Sequence, residues 1–300
     1  MSNWKEGSEM KSGLILEGGG MRGVYTAGVL ECFLENGLFP DYVIGVSAGA
    51  CNAASYISRQ PGRNREVTIG YVRHPDYLSV KNLFLKRELF GMNLIFNEIP
   101  NNLVPFDFTR FNQATEEFVI GTTDCITGKP VYFNKSIYSK DILTIIRASS
   151  SLPFMSRPIS YGGYLLLDGG ISDPIPIRKA LADQVEKPII VLTKEKGYRK
   201  SKSSLSKLTS YVYKDFKGLG IALDNRYQLY NDTMDFIETL EEQKKAIVIR
   251  PSETFNIKGI ERNPEKLTML YDRGYLDALG HLTDISEWLK KEPVNQELIT

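Results

Sequence analysis

The chain has 300 residues and a formal net charge of +1, a near-balance that removes the bulk attraction expected of a nucleic-acid binder. No uninterrupted apolar run approaches the roughly 20 residues that span a bilayer, and Met1–Met10 lack the apolar core of a secretory signal. Cys32, Cys51 and Cys125 are scattered without metal-ligand spacing and read as reduced thiols, so a soluble cytoplasmic protein is expected, large enough for one α/β domain or two modest ones.

Leu14–Glu17 is a short apolar strand that runs into Gly18-Gly19-Gly20-Met21-Arg22-Gly23 and then a helical segment to about Asn36, closed by Gly37 and Pro40. A second strand, Tyr42–Val46, delivers Ser47, and a helix follows from Ala48 to about Ser58. Strands alternating with helices predict right-handed βαβ units and a mainly parallel sheet flanked by helices. From 61 to 111 the pattern changes. Leu78, Val80, Leu83, Phe84, Leu85, Leu89, Phe90, Met92, Leu94, Ile95 and Phe96 crowd together without strand alternation, before Pro100 and Pro105 break the segment. This reads as an inserted helical and loop region beside the site, either core over the sheet or a contact for an acyl chain.

Phe118–Thr123 and Val131–Phe133 look like two strands joined by a turn, followed by a helix over about Lys140–Ser149 and the strand Tyr164–Leu167, which ends at Asp168-Gly169-Gly170. Pro174 and Pro176 open a helix to Ala182, and Pro188–Leu192 is a further buried strand. Beyond it the chain is more polar and more helical. Leu205, Leu208, Val212, Phe216, Leu219 and Leu223 fall at helical spacing, Ala246–Ile249 is one last strand, and a closing helix starts near Pro264 with Leu267, Leu270, Tyr271, Gly274, Ala278 and Leu282 as its inner stripe.

Gly45-Val46-Ser47-Ala48-Gly49 fits a nucleophile elbow, a tight strand-to-helix turn that lifts a serine hydroxyl out of the backbone. Gly45 and Gly49 belong there because a Cβ two residues either side of the serine would collide with neighbouring backbone. Gly18–Gly23 has two functional readings. One is a dinucleotide-binding turn with Asp41 as the ribose acid; the other is an oxyanion hole of backbone N–H groups at a helix start. The second is favoured, because the next strand ends in the elbow and Asp41 precedes its strand instead of following it. A serine hydroxyl also needs a proton acceptor. The chain has only His74 and His281; a Ser47-Asp168-His281 triad would have the chain order of an α/β-hydrolase, but His281 sits inside a helical pattern and His74 in a turn. Asp168 ends a buried strand at the carboxyl side of the sheet, where Ser47 also emerges, and desolvation there would raise its basicity.

Taken together, Gly18–Gly23, Gly45–Gly49 and Asp168-Gly169-Gly170, with Ser149–Phe154 shortly before the aspartate, resemble the patatin-like phospholipase family over about Ser12 to Leu192, its bacterial branch in particular. The resemblance implies Ser47 as nucleophile, Asp168 as its general base in a dyad without histidine, and an oxyanion hole from Gly18, Gly19, Gly20, Met21, Arg22 and Gly23. It also implies hydrolysis of lipid carboxylic esters with neither metal nor organic cofactor. The family often carries alanine where Gly170 stands. Residues 12–193 would be the catalytic domain and 194–300 a mostly helical C-terminal region without a catalytic motif. Within the latter, Lys194, Lys196, Arg199, Lys200, Lys202, Lys207, Lys214 and Lys217 interleave with Tyr198, Leu205, Leu208, Tyr211, Val212, Tyr213 and Phe216, against only Glu195 and Asp215. That segment is a candidate peripheral contact with an anionic membrane, unless Asp232, Asp235, Glu238, Glu241 and Glu242 balance its charge.

Overall fold

A computed structural model describes residues 10–79, 82–83, 87–202 and 206–290. The predicted apolar positions Val80, Phe84, Leu85 and Leu205, and most of the N-terminal segment read for a signal, lie outside them. Among the described residues eight strands form: β1 (Ser12–Leu16), β2 (Tyr42–Val46), β3 (Glu117–Asp124), β4 (Pro130–Asn134), β5 (Ile159–Tyr161), β6 (Tyr164–Asp168), β7 (Lys187–Val191) and β8 (Ile247–Ile249). They make one sheet in the order β5-β6-β3-β2-β1-β7-β8, with β4 also on β3. The β3-β2-β1-β7-β8 portion is parallel, while β4, β5 and β6 run antiparallel to their neighbours.

The central strands are apolar at consecutive positions because both faces are covered. Leu14, Leu16, Val43, Ile189 and Val191 face one core, and Ile15, Ile44, Ile190 and Leu192 the other. The first core is roofed by α1 (Val24–Glu35), α2 (Ala48–Ile57), α3 (Ile142–Ser149) and the closing helix. The second is roofed by α4 (Ile177–Ala182) and by Tyr230, Met234, Ile237 and Leu240 of a long helix, Lys217–Glu242. Among the described residues no helix is long and apolar enough to cross a membrane.

The expected single stripe from Leu208 to Leu223 is two helices, α5 (Ser206–Val212) and α6 (Lys217–Glu242). The break falls where the chain passes against the β3–β4 turn: a Cβ on Gly218 would lie 2.4 Å from the Thr127 carbonyl carbon. Leu208 and Val212 are therefore exposed while Leu219 is buried. The closing helix α7 (Pro264–Lys290) crosses α1 at van der Waals distance through facing glycines. A Cβ on Gly28 would meet Tyr271 O at 2.0 Å, and one on Gly274 would meet Tyr25 O at 2.1 Å. The C-terminal region thus adds β8 to the sheet edge and one helix to each face. In the inserted region Leu78, Leu89, Met92, Leu94 and Ile99 are buried, with Phe90, Ile95 and Phe96 packed partly exposed against the same core.

Candidate active site

Sheet register brings Ser47 and Asp168 together. Val46, the last residue of β2, pairs with Gly121 of β3, and the next residue of β3, Thr122, pairs with Asp168 at the end of β6. Beyond the end of β2, β3 thus continues against β6. Residues 121 apart in sequence arrive one strand position apart, at the carboxyl ends of the parallel strands, where open α/β sheets place their sites.

Ser47 has φ 54° and ψ −122°, left-handed backbone that a non-glycine residue adopts at a cost of about 1–3 kcal/mol. The turn is held from three sides. Ser47 N–H donates to Ser149 Oγ at 2.8 Å, and that hydroxyl donates to Gly121 O at 2.6 Å. Cys51 N–H donates to Ser47 O at 3.0 Å. The flanking glycines are required sterically: a Cβ on Gly45 would lie 2.7 Å from Ala50 N, and one on Gly49 2.6 Å from Leu16 O.

Asp168 is buried. Its Oδ1 accepts the Gly170 N–H at 2.7 Å, while its backbone is fixed by donation to Ser151 O at 2.8 Å and acceptance from Thr123 Oγ1 at 2.8 Å. Oδ2 is buried with no formed hydrogen bond among the described residues. Burial pushes this carboxyl above the usual carboxylate range, opposed by the neighbouring Ser47 hydroxyl, the Arg226 guanidinium, the Gly170 N–H and Lys200. Gly169 lies tight against β3, where a Cβ would be 2.2 Å from Gly121 O.

In the glycine loop, Gly20 has φ +57° and the chain enters a short 3₁₀ turn, Gly20–Gly23, that leads into α1. Three of its N–H groups are already spent: Gly18 on Pro174 O at 3.2 Å, Met21 on Gly259 O at 3.0 Å and Arg22 on Gly19 O at 3.2 Å. For Gly19 and Gly20 no protein acceptor is found among the described residues, which leaves these two as available donors. Gly23 instead packs on α2, its O accepting Asn52 Nδ2 at 2.7 Å. Asp41 accepts Ser12 N–H at 3.0 Å and Ser12 Oγ at 2.6 Å at the amino end of the strands, away from the glycine loop.

Gly18, Gly19, Gly20, Ser47 and Asp168 line a cleft of about 370 Å³. Its other wall was not legible in the sequence. Lys200, Thr209, Leu223, Arg226, Gly259 and Ile260 come from the C-terminal region. Lys200 is clamped onto α6 by Asn231, which accepts its N–H at 2.8 Å and donates to its O at 3.0 Å. Its ammonium stands 3.7 Å from the Tyr230 ring centroid. Burial pushes Lys200 down to about 7, with Arg226 and Arg22 adding to the fall and Glu17 and Asp168 opposing it. Neither His74 nor His281 lines the cleft, and His281 sits within α7. A second, apolar hollow of about 100 Å³ opens from Ser47 between Met21, Cys51, Val67, Tyr77, Phe90, Ile95 and Phe96. A third of about 60 Å³ shares its Cys51, Val67, Ile95 and Phe96 wall. Burial pushes the Cys51 thiol there up to about 11, so it is an inert apolar lining.

Elsewhere, the acidic stretch on α6 does take up part of the basic segment's charge. Arg199 bridges Asp235 at 2.6 Å and Glu238 at 2.7 Å.

The family model described as patatin-like phospholipase matches residues 14–181, and one described as a domain of unknown function, DUF6363, matches residues 217–290. The chain is 26% identical over 298 residues to an uncharacterized protein, YjjU, of Escherichia coli, covering 95% of this chain and 81% of that one. It is 27% identical over 184 residues to a protein of Aspergillus terreus named lysophospholipase nte1, covering 58% of this chain but 11% of that protein's length. Among solved structures, VipD from Legionella pneumophila superposes with a TM-score of 0.49 at 14% identity, over 92% of this chain and 67% of that one.

Proposed function

The chain belongs to the patatin-like phospholipase family and is a carboxylic ester hydrolase of that type; from this premise we propose that it cleaves acyl esters of lipids through an acyl-enzyme on Ser47, with Asp168 as general base. The observation that carries the proposal is the β2–β3–β6 register, which sets a buried carboxylate with one unengaged oxygen beside a serine on a strained elbow. Ser47 Oγ attacks the ester carbonyl carbon as its proton passes to Asp168. The carbonyl oxygen becomes an oxyanion held by the Gly19 and Gly20 N–H groups, aided by the helix start behind them. Collapse expels the alcohol oxygen, which takes the proton back from Asp168. Water then attacks the acyl-Ser47 carbonyl with the same carboxylate as base, releasing the fatty acid and the free serine.

Burial serves this chemistry because a solvated aspartate, with a pKa near 3.9, is a weak base towards a hydroxyl. Desolvation narrows that gap. The apolar hollow along Val67, Phe90 and Ile95 suits the acyl chain and the polar cleft suits the alcohol portion. Exposed Leu208, Tyr211 and Val212 on α5, beside the cleft residue Thr209, suit a peripheral contact with the lipid surface that supplies the substrate. Residues 12–193 carry every group used in these steps, with the remainder as a wall of the cleft.

The test is hydrolysis of a panel of p-nitrophenyl esters and phospholipids by the wild type beside Ser47→Ala and Asp168→Ala. Both variants are expected to fold and to release no fatty acid. Turnover retained by purified Ser47→Ala contradicts the proposal.

A further inference from the structure

Arg22, Lys200 and Arg226 line the same cleft as Ser47 and Asp168, and none of them has a carboxylate ion-pair partner among the described residues. Among the described residues Arg226 spends only Nε, which donates to Gly170 O at 2.5 Å. Arg22 has its Nε buried without a partner. Lys200 leans on the Tyr230 ring in place of an anion. The nearby acids do not pair with them: Asp224, on the cleft wall, forms no ion pair with any of the three among the described residues. Glu17 is turned to Thr193, whose N–H and Oγ1 it accepts at 2.6 and 3.0 Å, and to the Tyr230 hydroxyl at 3.1 Å. Asp168 Oδ1 is taken by the Gly170 N–H, and the carboxylate faces Ser47. Three half-buried cations gathered on one cleft, with Lys200 the most desolvated, repel one another unless an anion completes the set.

We propose that Arg22, Lys200 and Arg226 form a binding site for the phosphate of the substrate, so that the enzyme selects phosphate-bearing acyl glycerols over neutral glycerides. This rests on the catalytic reading only for the position of the scissile ester at Ser47. The geometry suits a phosphate because two guanidinium groups offer forked N–H donors and the ammonium a compact charge, the combination that recognises tetrahedral oxyanions. The C-terminal region supplies two of the three cations. Its part in the enzyme is therefore to read the head group, while residues up to Val191 hold the chemistry and the acyl chain. Burial holds Lys200 near a neutral titration point, and a bound anion would draw it back to the charged form.

The experiment is isothermal titration of the Ser47→Ala protein with 1-octanoylglycerol 3-phosphate, with neutral 1-octanoylglycerol and with inorganic phosphate. It reads binding alone and stands whether or not the wild type hydrolyses the esters. The phosphate-bearing lipid is expected to bind roughly tenfold or more tightly than its neutral counterpart. Lys200→Met and Arg226→Met, each made in Ser47→Ala and checked for an intact thermal transition, should each shrink that ratio by roughly tenfold. Lys200→Arg should restore most of it. A ratio near one, or a ratio unmoved by both methionine variants, overturns the proposal. So does inorganic phosphate binding as tightly as the lipid, which would make this a site for a free anion.

Discussion

The Ser149 hydroxyl is the smallest group on which the elbow depends, and Ser149→Ala measures how much. The fully buried Oγ accepts the Ser47 N–H at 2.8 Å and donates to Gly121 O at 2.6 Å. Alanine leaves a buried donor and a buried acceptor without partners, at about 1–3 kcal/mol each. A water entering the vacated volume recovers part of that, so the expected net loss is about 2–3 kcal/mol. It should appear as a lower urea midpoint with an unchanged slope. The same substitution frees Ser47 to relax from φ 54°. Labelling by a fluorophosphonate should then slow by roughly a hundredfold, the effect of a displacement of about 1 Å at a reacting atom. Ser150→Ala is the control, since among the described residues the Ser150 side chain has only a contact with Cys51 Sγ at 3.4 Å. If Ser149→Ala and Ser150→Ala agree within about 0.5 kcal/mol and label at the same rate, Ser149 does not hold the elbow.

Four further outcomes are expected. Because burial raises the folded-state pKa of Asp168, its charged form opposes folding, and that stability is present below the unfolded pKa and lost as pH rises through the folded one. Asp168→Asn should therefore melt above the wild type at neutral pH, the difference closing as pH falls below about 4, while hydrolysis is lost at every pH; a variant that melts lower at pH 7 counts against the buried-charge argument. Wild-type kcat/KM should rise with pH along an acid limb above the usual carboxylate range, as Asp168 ionises, and a limb near the ordinary aspartate value would place the base elsewhere. His74→Ala with His281→Ala should keep hydrolysing esters, whereas abolished turnover in the folded double variant would restore a triad. Gly274→Val should destabilise by about 2 kcal/mol or more, because its Cβ would approach Tyr25 O to 2.1 Å and force α1 and α7 apart; thermal unfolding reads this, and an unchanged transition would contradict the crossing.

What the sequence made legible was local. Tyr42–Val46 with Gly45, Ser47 and Gly49 reads as strand, turn and helix because apolar run, glycine and small residues succeed one another within nine positions. The hairpin β3–β4 and the stripe of α7 are equally short-range patterns. Long-range pairing was hidden. Nothing near Ser149 announces that its hydroxyl spans Ser47 and Gly121, or that Gly259 O takes the Met21 N–H and leaves Gly19 and Gly20 as the free donors. Lys200 was read as one of eight basic residues on a surface, whereas α6 carries it, with Arg226, into the cleft. The α5–α6 break was hidden for the same reason, since the contact of Gly218 with Thr127 is tertiary. The inserted region, read as core or acyl contact, is core at Leu89 and Ile99, while Phe90 and Phe96 line the hollow beside Ser47.

The dyad itself is tested most directly by mapping a fluorophosphonate adduct by peptide mass spectrometry in the wild type and in Asp168→Asn. A single adduct on Ser47 is expected in the wild type, with labelling slowed by roughly a hundredfold or more in Asp168→Asn for want of the base. An adduct on any other residue, or an Asp168→Asn protein labelled at the wild-type rate, would contradict the account.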